Sequence, residues 1–206
     1  MNRSAMTLRQ TSRRLTILAA FLLPLTVAGC GSQPPAEKPP LAGAAIGGPF
    51  TLTDKAGRTV RWSDFAGKYR MVYFGYTFCP DACPMDVAAM MRGYGLFDKA
   101  QPKLAAQVQP LFITIDPARD TPAIVGEFAA AFSPKLLGLT GTPAQIDAAA
   151  KAFAVYYAKG KQTSGGYLMD HSRVAYLMGR QGEPIAILPV DKGPPAVAAE
   201  LAKWVK

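Results

Sequence analysis

The chain has 206 residues, half of them hydrophobic and 18% charged, with 23 basic against 14 acidic side chains for a formal charge of +9. Three cysteines and one histidine leave few arrangements of metal or redox chemistry. The basic excess forms no like-charge run and no stripe with interleaved aromatics, which argues against a nucleic-acid partner.

Residues 1–29 carry Arg3, Arg9, Arg13 and Arg14 and no acid, followed by an apolar run from Leu15 to Leu25. This is the pattern of a secretory signal peptide, too short to span a bilayer. It ends at Val27-Ala28-Gly29-Cys30, which looks like a bacterial lipobox, so Cys30 is expected to be lipidated and to serve as an anchor. Several acyl chains on one residue hold a protein stably to a membrane, and the mature domain is then expected on the periplasmic or other extracytoplasmic side. Removing the four arginines leaves 19 basic against 14 acidic residues, a mild excess suited to an anionic membrane surface.

Residues 30–46, rich in Pro, Ala and Gly, read as a tether, and residues 47–206 as one domain. Phe50-Thr51-Leu52-Thr53 and Thr59-Val60-Arg61-Trp62 alternate around a turn at Asp54 to Gly57 and predict an edge hairpin. Met71 to Phe74 and Leu111 to Ile115 are short apolar runs expected as central strands. Between them Val87, Met90, Met91 and Tyr94 recur at helical spacing, so a strand, helix, strand unit with a right-handed crossover is expected. Further helices are predicted over Pro122 to Phe132, capped by Asp120 or Thr121, over Pro143 to Phe153, and over Pro195 to Val205. Val174 to Leu177 and Ile185 to Leu188 read as a hairpin through Gly179 and Gly182. The order suits an α/β fold, a thioredoxin-like sandwich with a central mixed sheet, flanking helices and an N-terminal hairpin extension.

Cys79 and Cys83 follow the first central strand, where open α/β sheets place their sites. Two thiols one turn apart suit either a copper site or a redox couple. Outside the cytoplasm they would pair as a disulfide unless reduced or metallated. Pro80 and Pro84 place both in a loop ahead of a helix starting near Pro84, whose N-terminus is expected to lower their pKa values. Structural zinc takes four protein ligands, more than this chain convincingly offers. Met85, Met90 and Met91 are soft enough to bind copper, but their spacing indicates core packing. Asp116, Arg119 and Asp120 could tune the thiols; a turn and a helix cap are the preferred reading.

Several motifs resemble the Sco/SenC family: Gly47 through Gly57, Asp64-Phe65-Ala66-Gly67-Lys68, Phe74-Gly75-Tyr76-Thr77-Phe78-Cys79-Pro80-Asp81-Ala82-Cys83-Pro84, Asp116-Pro117-Ala118-Arg119-Asp120-Thr121-Pro122 and Asp170-His171-Ser172. The resemblance implies a copper chaperone for cytochrome c oxidase assembly, binding one copper, as Cu(I) or Cu(II), through Cys79, Cys83 and His171. Asp170 is expected to orient the histidine ring. The implied partners are the copper-site subunit of the oxidase, another periplasmic copper carrier and a thiol reductant. Many relatives have an aspartate in the turn where this chain has Gly179-Arg180-Gln181-Gly182. The competing function is a thiol-disulfide oxidoreductase acting on an exported partner. Three residues between the thiols rather than two, and no proline between Pro143 and Pro184, weigh against it. A thiol peroxidase using Cys79 and Arg119 and a purely structural disulfide leave His171 without a task.

Overall fold

The computed structural model describes residues 37–163 and 166–206, so the signal-peptide and Cys30 readings lie outside the described residues. The domain opens with an antiparallel hairpin of β1 (Thr51–Thr53) and β2 (Thr59–Arg61). Its turn is held by Asp54, whose Oδ1 accepts the N–H groups of Ala56 and Arg58, each at 2.9 Å.

The chain then runs through β3 (Tyr69–Gly75), α1 (Ala82–Ala100), the short α2 (Pro102–Ala105) and β4 (Val108–Thr114). Next come α3 (Pro122–Phe132), β5 (Leu137–Leu139) and α4 (Pro143–Ala152). Two hairpins follow, β6 (Tyr157–Thr163) with β7 (Gly166–His171) and β8 (Ala175–Met178) with β9 (Pro184–Leu188), before α5 (Pro194–Trp204). The five-stranded sheet has the order β5-β4-β3-β8-β9. β3, β4 and β5 run parallel, and β8 and β9 antiparallel, as the mixed sheet predicted from sequence requires.

β3 and β4 are the buried centre, which is why their sequences read as continuous apolar runs. Successive β3 side chains serve opposite layers. Tyr73 reaches Asp86 on α1, and Phe112 beside it stacks near Phe128 of α3 with centroids 4.8 Å apart. On the other face Phe74 meets Phe153 at 5.4 Å, just past α4, and Phe153 in turn meets Trp62 after β2 at 5.5 Å. α1 and α5 approach so closely at Gly93 that a Cβ there would lie 2.5 Å from the Val197 Cβ.

Three features add to the expected elements. Packing begins before Gly47: Leu41 N–H bonds to the Ile185 carbonyl at 3.0 Å, and Leu41 and Ile46 lie against the core. Edge strand β9 offers a carbonyl with no strand beside it, and the turn over residues 40–43 presents the Leu41 N–H to it. Arg70 extends β3 ahead of the expected apolar run and is buried, with Nη1 on the Gly179 carbonyl at 2.7 Å and its guanidinium over the Trp62 ring. Of the two caps expected for α3, Asp120 or Thr121, Thr121 is the one observed, accepting the Ile124 N–H.

Candidate metal centre

β3 ends at Gly75, and the cysteines occupy the turn into α1. Gly75 makes room for the second of them: a Cβ there would sit 3.2 Å from Cys83 Sγ and 2.9 Å from the Tyr73 ring. The turn is tighter than expected, because α1 begins at Ala82 and Cys83 already lies in its first turn, with Pro84 tolerated there. Asp81 at the cap makes no side-chain bond to the helix. Cys79 Sγ takes that place, accepting the Cys83 N–H at 3.4 Å.

The two thiols therefore differ. Burial pushes Cys79 up, but hydrogen bonds from the Cys83 and Asp81 backbone and from the Cys83 and Tyr76 side chains outweigh it, and its pKa falls below that of a free thiol. Cys83 is fully buried, and burial drives it up to about 12, against the uniform lowering expected from the helix N-terminus.

His171 arrives from the far side, at the end of β7, paired with Tyr157 of β6. Its Nε2 lies 3.2 Å from Cys83 Sγ, and its Nδ1 lies 2.9 Å from the Ser172 carbonyl oxygen. A carbonyl can only accept, so Nδ1 carries the proton. Burial lowers the ring's pKa, against the Ser172 bond and the Asp86 charge that raise it. The ring is then neutral near pH 7, with its Nε2 lone pair facing the Cys83 sulfur. A histidine anchored by Nδ1–H on a backbone carbonyl with Nε2 free is the usual state of a metal ligand. The edges of Tyr73 and Tyr76 flank it at 6.4 and 6.0 Å between centroids.

The ring-orienting role expected of Asp170 falls to the Ser172 carbonyl. Asp170 instead neighbours Gly160 across the hairpin, where its Oδ2 lies 3.3 Å from the position of a Cβ. Met90 and Met91 are core residues as expected, whereas Met85 is 63% exposed. Met85 lies two residues before Val87, which turns it to the opposite side of α1 from the buried stripe. A cavity of about 410 Å³, lined by Cys79, Ala82, Tyr156, Met169 and residues 170–173, opens at Cys79 and His171.

Asp116, Arg119 and Asp120 form more than a turn and a cap. Asp120 is fully buried and accepts from Thr77 N–H at 3.0 Å, Thr77 Oγ1 at 2.6 Å and Thr114 Oγ1 at 2.5 Å, tying the cysteine turn to the end of β4. Arg119, ion-paired to Asp116, donates Nη1 to the Tyr167 carbonyl at 2.8 Å and lies over the Tyr167 ring at 3.7 Å and the Phe78 ring at 4.8 Å. These engagements leave it no evident role at Cys79, as a peroxidase would need.

Sequence reasoning missed Tyr73, Asp86 and Arg173. Arg173 donates Nε and Nη2 to Asp86 Oδ2 and Oδ1 at 2.9 and 2.7 Å, and Tyr73 OH donates to Oδ2 at 2.9 Å. Opposite charges three residues after one candidate ligand and two after another were the only available signal. Among the described residues no three Cys, His, Asp or Glu side chains already close on a common point. The ready pair is Cys83 with His171, and Cys79 adjoins it through the Cys83 backbone.

Comparison with known proteins gives one consistent result. A family model described as SCO1/SenC matches residues 38–206. Protein SenC of Rhodobacter capsulatus is 46% identical over 137 residues, covering 66% of this chain and 60% of that protein. The human mitochondrial SCO1 homolog is 38% identical over 162 residues, covering 78% of this chain and 53% of that protein. The matches thus span about half the length of these relatives. Among solved structures, copper-bound ScoI of Bradyrhizobium japonicum aligns with TM-score 0.66 and 38% identity over 77% of this chain and 99% of that one. Copper-bound yeast Sco1 aligns with TM-score 0.70 and 34% identity over 78% and 88%.

Proposed function

This chain belongs to the SCO1/SenC family, and from that premise we propose that it is a copper chaperone which holds one copper through Cys79, Cys83 and His171 and supports assembly of the copper site of cytochrome c oxidase. The observation that carries the reading is the 3.2 Å approach of His171 Nε2 to Cys83 Sγ with Nδ1–H committed elsewhere. Two similar proteins, at 38% and 34% identity, hold copper in their structures. Two thiolates suit Cu(I), and the imidazole adds a nitrogen that makes a trigonal set able to hold Cu(II).

Copper is cargo here, and each residue has a task in taking it up. Cys79, half-buried at the mouth and the more readily ionised thiol, engages first by turning its sulfur from the helix cap toward the ion. Cys83 gives up its proton once the metal's charge offsets the burial that retains it. His171 presents a lone pair without having to lose a proton. A thiol-disulfide oxidoreductase would use the same sulfurs but gives that lone pair nothing to do.

Titrating Cu(I) and Cu(II) separately into reduced protein tests this. One equivalent of either should bind, and His171→Ala should keep Cu(I) while losing about tenfold to a hundredfold in Cu(II) affinity. Unchanged Cu(II) binding in the variant would remove His171 from the site. Copper-independent disulfide reduction at the rate of a thioredoxin would shift the assignment to the reductase.

Anchoring at Cys30 and an extracytoplasmic location belong to the same proposal, on the strength of residues 1–30. Fatty-acid labelling should mark the parent and not Cys30→Ala. Equal label in both would remove the anchor. Delivery to the oxidase subunit, receipt from another carrier and resetting by a reductant complete the proposal.

A further inference from the structure

Among the described residues the hairpin that carries His171 pairs only with itself: β6 and β7 form a separate two-stranded sheet, outside the five-stranded one that positions the cysteines. A two-stranded ribbon alone is marginal in water, so its place on the domain depends on side chains. One contact beside the site is the Asp86–Arg173 ion pair. Asp86 is one helical turn from Cys83 on α1, and Arg173 is two residues beyond His171. The fork is bidentate, at 2.9 and 2.7 Å, and Asp86 Oδ2 takes a third bond from Tyr73 OH at 2.9 Å. The Asp86 side chain is 4% exposed and that of Arg173 51%.

We infer that the Asp86–Arg173 pair is a positioning clamp, which fixes the end of β7 against the first turn of α1 and so sets how strongly the copper site holds Cu(II). The inference rests on the copper reading above. A planar fork on a carboxylate defines direction as well as distance, which one point charge does not. Because Asp86 is buried and further fixed by Tyr73, it is the stationary half, and Arg173 brings the chain to it. The 3.2 Å spacing of Cys83 Sγ and His171 Nε2 lies directly beside this fork. A small displacement of the hairpin moves the imidazole off the shared ligand position while leaving both thiols in place. Cu(I) is satisfied by the two thiolates, so the loss falls on Cu(II).

The test uses the full reduced chain, with Cu(I) affinity read by competition against a chelator and Cu(II) by affinity and thiolate-to-copper absorption. Arg173→Gln should keep Cu(I) affinity within about threefold, lose about tenfold for Cu(II) and shift the absorption band, in line with other groups that orient a metal ligand. Arg173→Lys, which keeps the charge without the fork, should recover part of the loss and carries the same test if the glutamine variant does not fold. Added to His171→Ala, Arg173→Gln should change Cu(II) affinity no further, because the clamp acts through the ring. Parental Cu(II) affinity and spectrum in Arg173→Gln, with His171→Ala deficient, would overturn the clamp and leave the copper site standing. Parental Cu(II) binding in His171→Ala would overturn both. A lowered melting temperature with an unmoved band would mean the pair only stabilises the fold.

Discussion

The cysteine turn and the histidine hairpin meet at one site but are built differently. Cys79 and Cys83 are placed by backbone: β3 ends, α1 begins, and the sheet and helix on either side are core elements. His171 is placed by side chains, because among the described residues its hairpin shares no strand pairing with the main sheet and is held through Arg119 on Tyr167 and Arg173 on Asp86. Damage to the first region should therefore act on the fold as a whole. Damage to the second should act on local geometry.

The largest effect is expected where the cysteine turn is anchored. Asp120→Ala strips the acceptor from Thr77 N–H, Thr77 Oγ1 and Thr114 Oγ1. Several buried donors left unpaired put the cost at about 3 kcal/mol of global stability, measured by urea unfolding. A midpoint equal to the parent's would mean that the turn does not depend on this carboxylate.

On the hairpin side, Arg119→Ala frees the Tyr167 carbonyl and leaves Asp116 without its ion pair, at a cost of about 2 kcal/mol. The comparison sharpens in where that cost appears. Amide exchange should accelerate across β6 and β7 while β3 and β4 keep their protection. Uniform acceleration would mean that the hairpin is part of the central cooperative unit.

A smaller effect separates the two thiols. The folded-state pKa of Cys79 is depressed, so its thiolate appears at lower pH than that of a free cysteine near about 8.5. Cys83, raised to about 12, stays protonated until far higher pH. Alkylation of the reduced, metal-free chain should therefore label Cys79 first at neutral pH, with Cys83 lagging until the solution is strongly alkaline. Mass spectrometry of the labelled peptides at several pH values reads this directly, and equal rates at pH 7 would contradict the asymmetry.

The same contrast explains what could be read from the sequence. β3, α1 and β4 announced themselves because burial on both faces forces continuous apolar runs, and because Val87, Met90 and Met91 keep helical spacing. Met85 sits close enough to that stripe to be taken for part of it, yet it points to solvent. The β6 strand was missed because Lys159-Gly160-Lys161 breaks the apolar alternation of a half-buried strand, and β5 because three residues carry little pattern. The ligand residues were legible through a family resemblance rather than through spacing. Arg173 and Asp86 stand 87 residues apart, and no local rule pairs them. Asp170 is the ring partner a sequence suggests, because a carboxylate is visible in a sequence and the Ser172 backbone carbonyl is not.

The convergence of Cys79, Cys83 and His171 on one ion is tested most directly by X-ray absorption of the copper-loaded chain. In the Cu(II) form the copper should have two sulfur neighbours and one imidazole nitrogen, with the nitrogen lost in His171→Ala and a sulfur lost in Cys79→Ser or Cys83→Ser. A copper environment that is the same in the parent and in all three variants would contradict the site.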